Sequence, residues 1–401
     1  MAVSSGLTIG VDATTWWNRR GFGRFTRGQL GAMLAEPRGH RFVLFVDRDP
    51  VEEMLRPHVD VVRVNTSATV TDAAVADGSR GIGDVLAFRH ATAGRMLDIF
   101  WFPAVYSWFP VSGRIPSIVT FHDAIAEHFT KLVLPSLRGR LFWNLKVWMA
   151  KRSARHVATV SQAAREEIVR FLHSPREKIS VILEAADSRF KPVENGVERS
   201  AARQNLGLPP GRRLILYVGG LAPHKNLAGL IEGFAQAVGK NGRDLGDLDL
   251  VLAGDPKGDG FHSNVEELHA LVARHGLGDR VHFPGFVPDA ALPALYSDAL
   301  AVAMPAFSEG FGLPAAEAIA CGTPVIATRG GAVAEVVGRA GLFFDPHDPV
   351  AIARTITEIA GDDALLDRLR RECLPRSAEL SWSRSGAAML DLLEAQAGRP
   401  S

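Results

Sequence analysis

The stretch "SEGFGLPAAEAIACGTPVIA", residues 308–327, sets Glu309 and Glu317 eight positions apart across a glycine turn, in otherwise apolar surroundings. Carboxylates in such a run need polar partners, because an unpaired buried charge is costly. The preceding "ALAVAMP" reads as a strand. "AFSEGFG" reads as a tight loop, where Gly310 and Gly312 permit unusual φ or close ligand approach. "PAAEAIA" reads as a helix with Pro314 in its first turn, ended by Gly322, and "TPVIA" as the next strand. Glu309 is thus expected above a strand end and Glu317 about one turn into a helix. A helix start offers unpaired N–H groups and positive dipole density, which suit a diphosphate. Glu317 could then take a vicinal diol such as a ribose, and Glu309 the hydroxyls of a sugar. Each charge-assisted bond is worth about 1.5–3 kcal/mol. A helix-end charge and a solvated loop carboxylate fit the same pattern.

Other stretches carry weaker signals. In "LYVGGLAPHKNLAGLIEGFA", 216–235, a strand runs into Gly219–Gly220 and a short loop, and Lys225 sits near a helix start capped around Asn226. Lys225 could offer a point charge to a leaving diphosphate. The loop is not a P-loop, since Asn226 rather than Ser or Thr follows the lysine. In "GVDATTWWNRRGFGRFTRGQL", 10–30, a strand leads into a loop with Gly21 and Gly23, then a helix. Backbone could approach a phosphate there, with Arg24 close by, though a plain strand-to-helix turn reads equally well. "SIVTFHDAIAEHF" puts His122 and Asp123 at a strand end. His122 could bond a sugar hydroxyl, shuttle a proton, or be structural. Asp47 and Asp49 in "VDRDP" have chelating spacing, but Pro50 makes a strand-end turn the preferred reading. "GDLDL", 246–250, reads as loop polarity.

The elements that must position these groups are short β-rich apolar runs alternating with helical patterns. The first half has "LTIGVDAT", "RFVLFVD", "VVRVN", "IFWFPA", "SIVTFHD", "HVATVS" and "ISVILEA"; the second has "LILYVGG", "LDLVLAG", "VHFPG", "LAVAMP", "PVIAT" and "LFFDP". Such continuous runs suit strands buried on both faces of a parallel sheet, so two doubly wound α/β domains are expected. Their boundaries are placed at 1–190 and 212–376, with a Gly/Pro-rich linker at 191–211 and residues 377–401 returning to the first domain. Ligands in such sheets favour the carboxyl ends of the strands.

A chain of 401 residues exceeds one ordinary core, and 47% hydrophobic with 22% charged residues describes a globular protein. Two cysteines exclude a disulfide framework. No signal-peptide pattern or membrane-length apolar run is seen, so the cytoplasm is the expected compartment. The net charge of +1 hides an asymmetry. Residues 1–200 hold 27 Lys+Arg against 20 Asp+Glu, and the rest 18 against 24. A basic first half suits an anionic partner such as a membrane surface or a phosphorylated acceptor; nucleic acid is not expected, for want of a basic block with interleaved aromatics. Within 134–156, Arg138, Arg140, Lys146, Lys151 and Arg152 mix with Phe142, Trp143 and Trp148. That suits a helix on an anionic membrane, or an ordinary amphipathic helix on the sheet.

"SEGFGLPAAEA", "YVGGLAPHKN" and "RRGFGRFT", in this order, resemble the Glu-x7-Glu signature, lysine loop and N-terminal glycine loop of the family-4 retaining glycosyltransferases. The resemblance covers nearly the whole chain. It implies a GT-B architecture, two Rossmann-like domains with a cleft between them, and a nucleotide-sugar donor held mainly by the C-terminal domain. It implies transfer with retention and no obligatory metal or other cofactor. By position, Glu309 would meet the donor sugar and Glu317 the ribose. Gly310, Phe311, Gly312 and Leu313 would line sugar and phosphate, Lys225 the diphosphate, Gly23 the β-phosphate, His122 the sugar and acceptor side, and Gly285 with Phe286 the base. Where many relatives carry arginine, this chain has Gly220 and His224, so Lys225 works with less help or Arg24 or His224 substitutes. The expected reaction moves a mannose- or glucose-type hexose from UDP or GDP to a lipid-linked, polysaccharide or small-molecule acceptor. A nucleotide-sugar epimerase and a non-catalytic sugar-nucleotide binder remain as alternatives.

Overall fold

A computed structural model describes residues 6–18, 21–67, 81–111, 115–133, 136–239, 245–255 and 264–398. Arg19 and Arg20 of the N-terminal glycine loop, and Leu134 with Pro135 ahead of the basic helix, lie outside them.

The chain packs as two units, Met1–Glu184 with Trp382–Ser401, and Ala185–Ser381. The first is built on β1 (Thr8–Asp12), β2 (Arg41–Val46), β3 (Val59–Arg63), β4 (Ile99–Phe102), β5 (Ser117–Thr120), β6 (His156–Thr159) and β7 (Ile179–Val181). Among the described residues they form one parallel sheet in the order β3-β2-β1-β4-β5-β6-β7. The second uses β8 (Arg213–Val218), β9 (Leu248–Ala253), β10 (Val281–Gly285), β11 (Ala301–Met304), β12 (Val325–Thr328) and β13 (Gly341–Phe344), ordered β10-β9-β8-β11-β12-β13 and again parallel. Each apolar run of the sequence supplies one of these strands. The central strands are buried because helices cover both faces of a parallel sheet, whereas the edge strands β3, β10 and β13 are mostly half-buried. Both units are doubly wound, as the GT-B class requires, and each reverses its winding once: between β1 and β4, and between β8 and β11.

Phe100, Phe102, Phe109, Val119 and Ile168 centre the first core, and Ile215, Leu230, Phe234, Leu250 and Ile356 the second. Helix Trp382–Gln396 returns to the first unit and lies along helix Gly21–Ala35. The Trp382 ring packs so closely on Gly28 that a Cβ there would come within 2.3 Å of it. Gln29 Nε2 donates to the Ser385 carbonyl at 2.9 Å.

The expected boundaries shift. The first unit stops at 184 rather than 190, and the return begins at 382 rather than 377. The stretch 191–211 is not a free linker. It holds helix Gly196–Asn205, capped by Asn195, whose Arg203 is buried against Asp298. Nor is "GDLDL" simple loop polarity. Asp249 lies inside β9, fully buried, bonded to Arg280 at 3.1 Å and His282 at 2.9 Å.

Candidate active site

In the second unit the winding reverses between β8 and β11, which are hydrogen-bonded neighbours. The loops leaving their carboxyl ends must therefore lie side by side, and they carry Lys225 and Glu309. Lys225 Nζ donates to Glu309 Oε1 at 2.8 Å, with both side chains largely buried. A cation and a carboxylate 84 residues apart in sequence thus meet where doubly wound sheets hold ligands.

The frame around the pair is stiff. The Phe307 N–H donates to the His224 carbonyl at 3.1 Å and joins the two loops. Asn226 is buried in the left-handed region (φ 55°). Its side chain does not cap the following helix; Nδ2 donates instead to the carbonyls of Pro305 (3.2 Å) and Pro346 (2.8 Å). Asn226 therefore clamps the loops after β8, β11 and β13 together. Thr328 Oγ1 adds a bond to the Ala306 carbonyl at 2.8 Å.

Beyond Glu309 the chain turns through buried Gly310 and Phe311 into Gly312, at φ 97°. A Cβ at Gly312 would meet Val333 Cγ2 at 2.9 Å, so conformation and space both demand glycine. Leu313 opens helix Leu313–Ala320 with Pro314 in the first turn. Glu317 points inward, 1% exposed, and Tyr296 Oη donates to its Oε2 at 2.9 Å. It lies past the first turn, so it is no helix-start charge. Gly285 ends β10 at φ 77°, followed by Phe286, 59% exposed.

Several expected roles change. His224 is buried, and burial followed by the charge of Lys225 pushes its pKa down to about 3. It is neutral near pH 7 and does not replace the missing arginine. At Gly220 the carbonyl accepts from Tyr217 Oη at 2.6 Å. In the first unit, Gly21 and Gly23 begin helix Gly21–Ala35 rather than sit in a loop, and Arg24 lies half-buried in that helix. A Cβ on Gly23 would fall 1.7 Å from the Asn18 carbonyl oxygen, so close backbone packing already explains this glycine. His122 has both ring nitrogens engaged. Nε2 donates to the Pro103 carbonyl at 3.0 Å, and Nδ1 lies 3.2 Å from Glu184 Oε1. Burial raises the Glu184 pKa. So placed, His122 offers no nitrogen to a sugar and reads as structural. Asp47 and Asp49 diverge: the first is buried beside Arg48, the second exposed and paired with Arg63. Among the described residues no group of three or more His, Cys, Asp or Glu could hold a metal. Burial pushes both thiols, Cys321 and Cys373, up to about 12, so neither is a ready nucleophile.

Sequence reasoning missed Tyr296 as the partner of Glu317 and Asn226 as a clamp. The sequence marked Asn226 only as the cap of the helix that follows Lys225.

Residues 24–189 match the family described as Glycosyltransferase Family 4, and residues 198–373 match Glycosyl transferases group 1. The O-antigen chain mannosyltransferase B of Escherichia coli is 34% identical over 266 residues, 66% of this chain and 67% of that protein. The chain belongs to the family-4 glycosyltransferases. It is also 32% identical over 304 residues, 73% of its length, to a D-inositol 3-phosphate glycosyltransferase of Streptomyces bingchenggensis. The match spans 64% of that relative, and two further Streptomyces and Catenulispora proteins of that name are spanned over 57% and 55%. In fold, the chain is similar to sucrose-phosphate synthase from Thermosynechococcus elongatus (TM-score 0.72, 23% identity, 97% of this chain and 98% of that one). It is also similar to Anabaena HepE in complex with UDP-glucose (TM-score 0.69, 20% identity, 97% and 99%).

Proposed function

We propose that the chain is a retaining hexosyltransferase taking a mannose- or glucose-type sugar from UDP or GDP, without an obligatory metal, to a lipid-linked, polysaccharide or small-molecule acceptor. The Lys225–Glu309 pair at the β8/β11 switch point carries this reading. A donor entering there exchanges one salt bridge for two sets of contacts. Lys225 turns to the diphosphate and, with the amides of Phe311, Gly312 and Leu313, stabilises the charge that grows as the glycosidic bond breaks. Glu309 takes sugar hydroxyls. Glu317, held by Tyr296, takes the ribose diol, and Phe286 offers an aromatic face to the base. Substitution then proceeds on the front face: the acceptor oxygen bonds the anomeric carbon, and the leaving phosphate accepts the acceptor proton. The curated relatives, one named as a mannosyltransferase and others for inositol phosphate, support hexose transfer as a class.

The test screens the purified protein for thermal stabilisation by UDP, GDP and their sugars, with and without Mg²⁺, then for turnover and product stereochemistry. A ligand at roughly 100 times its Kd stabilises by about 2.7 kcal/mol, and Glu317→Ala should abolish the shift. Glu309→Ala should cost about 10²-fold or more in kcat/KM. Near-normal turnover in that variant removes Glu309 from the site. Product from donor alone would point to the epimerase, and binding without turnover to the non-catalytic reading.

A further inference from the structure

Of the three tyrosines in the chain, Tyr217 and Tyr296 are fully buried. A buried phenol needs a partner for its O–H. Tyr217 Oη bonds the Gly220 carbonyl, whereas Tyr296 Oη donates to Glu317 Oε2 at 2.9 Å. Phenylalanine would fill the same space as Tyr296, so packing alone does not call for the hydroxyl.

The phenol is held still from several sides, all within the second unit. Phe190 meets the Tyr296 ring edge-on, with centroids 5.9 Å apart. The Tyr296 carbonyl accepts from Thr323 Oγ1 at 2.7 Å. Tyr296 therefore grips helix Leu313–Ala320 at two places, at Glu317 and just past its end. Its own helix, Leu292–Asp298, is tied down by the two residues that follow. Ser297 Oγ accepts from the Val193 N–H at 2.9 Å, and Asp298 pairs with buried Arg203. What this fixes is the carboxylate. The terminal torsion of a glutamate is broad, so an untethered carboxyl plane turns easily. A bond from an immobile phenol to Oε2 sets that plane and with it the direction of both oxygens. A carboxylate accepts at about four sites, so one phenol does not exclude a diol.

We propose that Tyr296 is a positioning residue which, acting through Glu317, sets the preference of the site for ribonucleotides over 2′-deoxyribonucleotides. The inference rests on the reading that Glu317 takes the ribose diol, and its test separates the two. Affinities of the full chain for UDP, GDP and their 2′-deoxy counterparts are read by titration calorimetry. The unaltered protein should favour the ribonucleotide about tenfold or more, as one charge-assisted bond implies. Tyr296→Phe should lower that ratio to about threefold or less, by weakening the ribonucleotide alone. In turnover it should raise the donor KM with kcat nearly unchanged, the mark of a contact made equally in ground and transition states. Tyr217→Phe loses a buried hydroxyl bonded elsewhere and should keep the ratio. If it lowers the ratio as far, the effect is general loosening and the inference falls. Glu317→Ala that still prefers the ribonucleotide overturns the diol reading and the inference with it. If Glu317→Ala loses the preference, or binding itself, while Tyr296→Phe keeps the preference, the reading stands and only the inference falls. An unaltered protein without the preference overturns both. A second measurement needs no folded Tyr296 variant. Labelling with 3-fluorotyrosine gives three fluorine resonances, assigned by elimination with Tyr106→Phe and Tyr217→Phe. The Tyr296 resonance should move with the ribonucleotide and much less with its 2′-deoxy counterpart; a resonance that ignores the ribonucleotide overturns the inference.

Discussion

His224 precedes Lys225, and its chemistry is set by its surroundings rather than its type. Burial and the adjacent Lys225 charge hold its pKa at about 3, against about 6.5 for a free histidine. The unfolded chain therefore takes up a proton as pH falls below about 6.5, while the folded chain refuses it until about 3. The stability conferred by the neutral ring is complete above pH 6.5 and drains away toward pH 3, by at most roughly 1.4 kcal/mol per pH unit. We expect His224→Gln to flatten the pH dependence of the unfolding free energy between pH 6 and 4, as read by urea melts across that range. An unchanged slope would mean that the ring is solvated and protonates freely. At this scale the sequence spoke in motifs. Glu309, Lys225 and Gly312 were legible because their chemistry is tied to spacing along one or two loops. The loss of His224 as a cation was not, because burial is a property of neighbours brought in from elsewhere.

One side chain bonds the loops at the carboxyl ends of β8, β11 and β13 to one another. Asn226 combines a left-handed backbone with two donors aimed at carbonyls of other loops. Asn226→Ala strands both acceptors and strains the backbone, at about 1–3 kcal/mol for each buried group left unsatisfied. We expect a lower Tm and weaker nucleotide binding together, with Asn226→Asp recovering neither, since a carboxylate cannot donate. A variant with unchanged binding would show that the loops are held by other contacts. The strands themselves were fully legible: a run such as "LILYVGG" has one physical use, a strand covered on both sides. Helix starts and the interunit stretch were not. "ENGVERSAARQNLG" is polar enough for a linker, and only the buried Arg203–Asp298 pair reveals a packed helix. The helix at 137–153 was half legible, since composition gave its amphipathic character but not the face it turns to the sheet.

At the scale of the whole molecule the two units differ in continuity. The second is one uninterrupted stretch, Ala185–Ser381, whereas the first needs Trp382–Gln396 to complete it. That helix buries Met389, Leu390, Leu392 and Leu393, each worth about 1.5–3 kcal/mol. Their sum rivals the 5–15 kcal/mol net stability of a typical domain. Deleting residues 382–401 should therefore abolish the first unit's calorimetric transition and open residues near Gly28 to protease. The second unit should keep its own transition and its nucleotide-induced shift. Survival of both transitions would show that the first sheet stands without its last helix. The arrangement also inverts the usual order of synthesis, in which the N-terminal domain folds first. On the ribosome the second unit is finished while the earlier-made half still waits for its closing piece. A chain that stops short of that piece therefore emerges with a finished second unit but an open first core, the kind of exposed surface on which chaperones and proteases act.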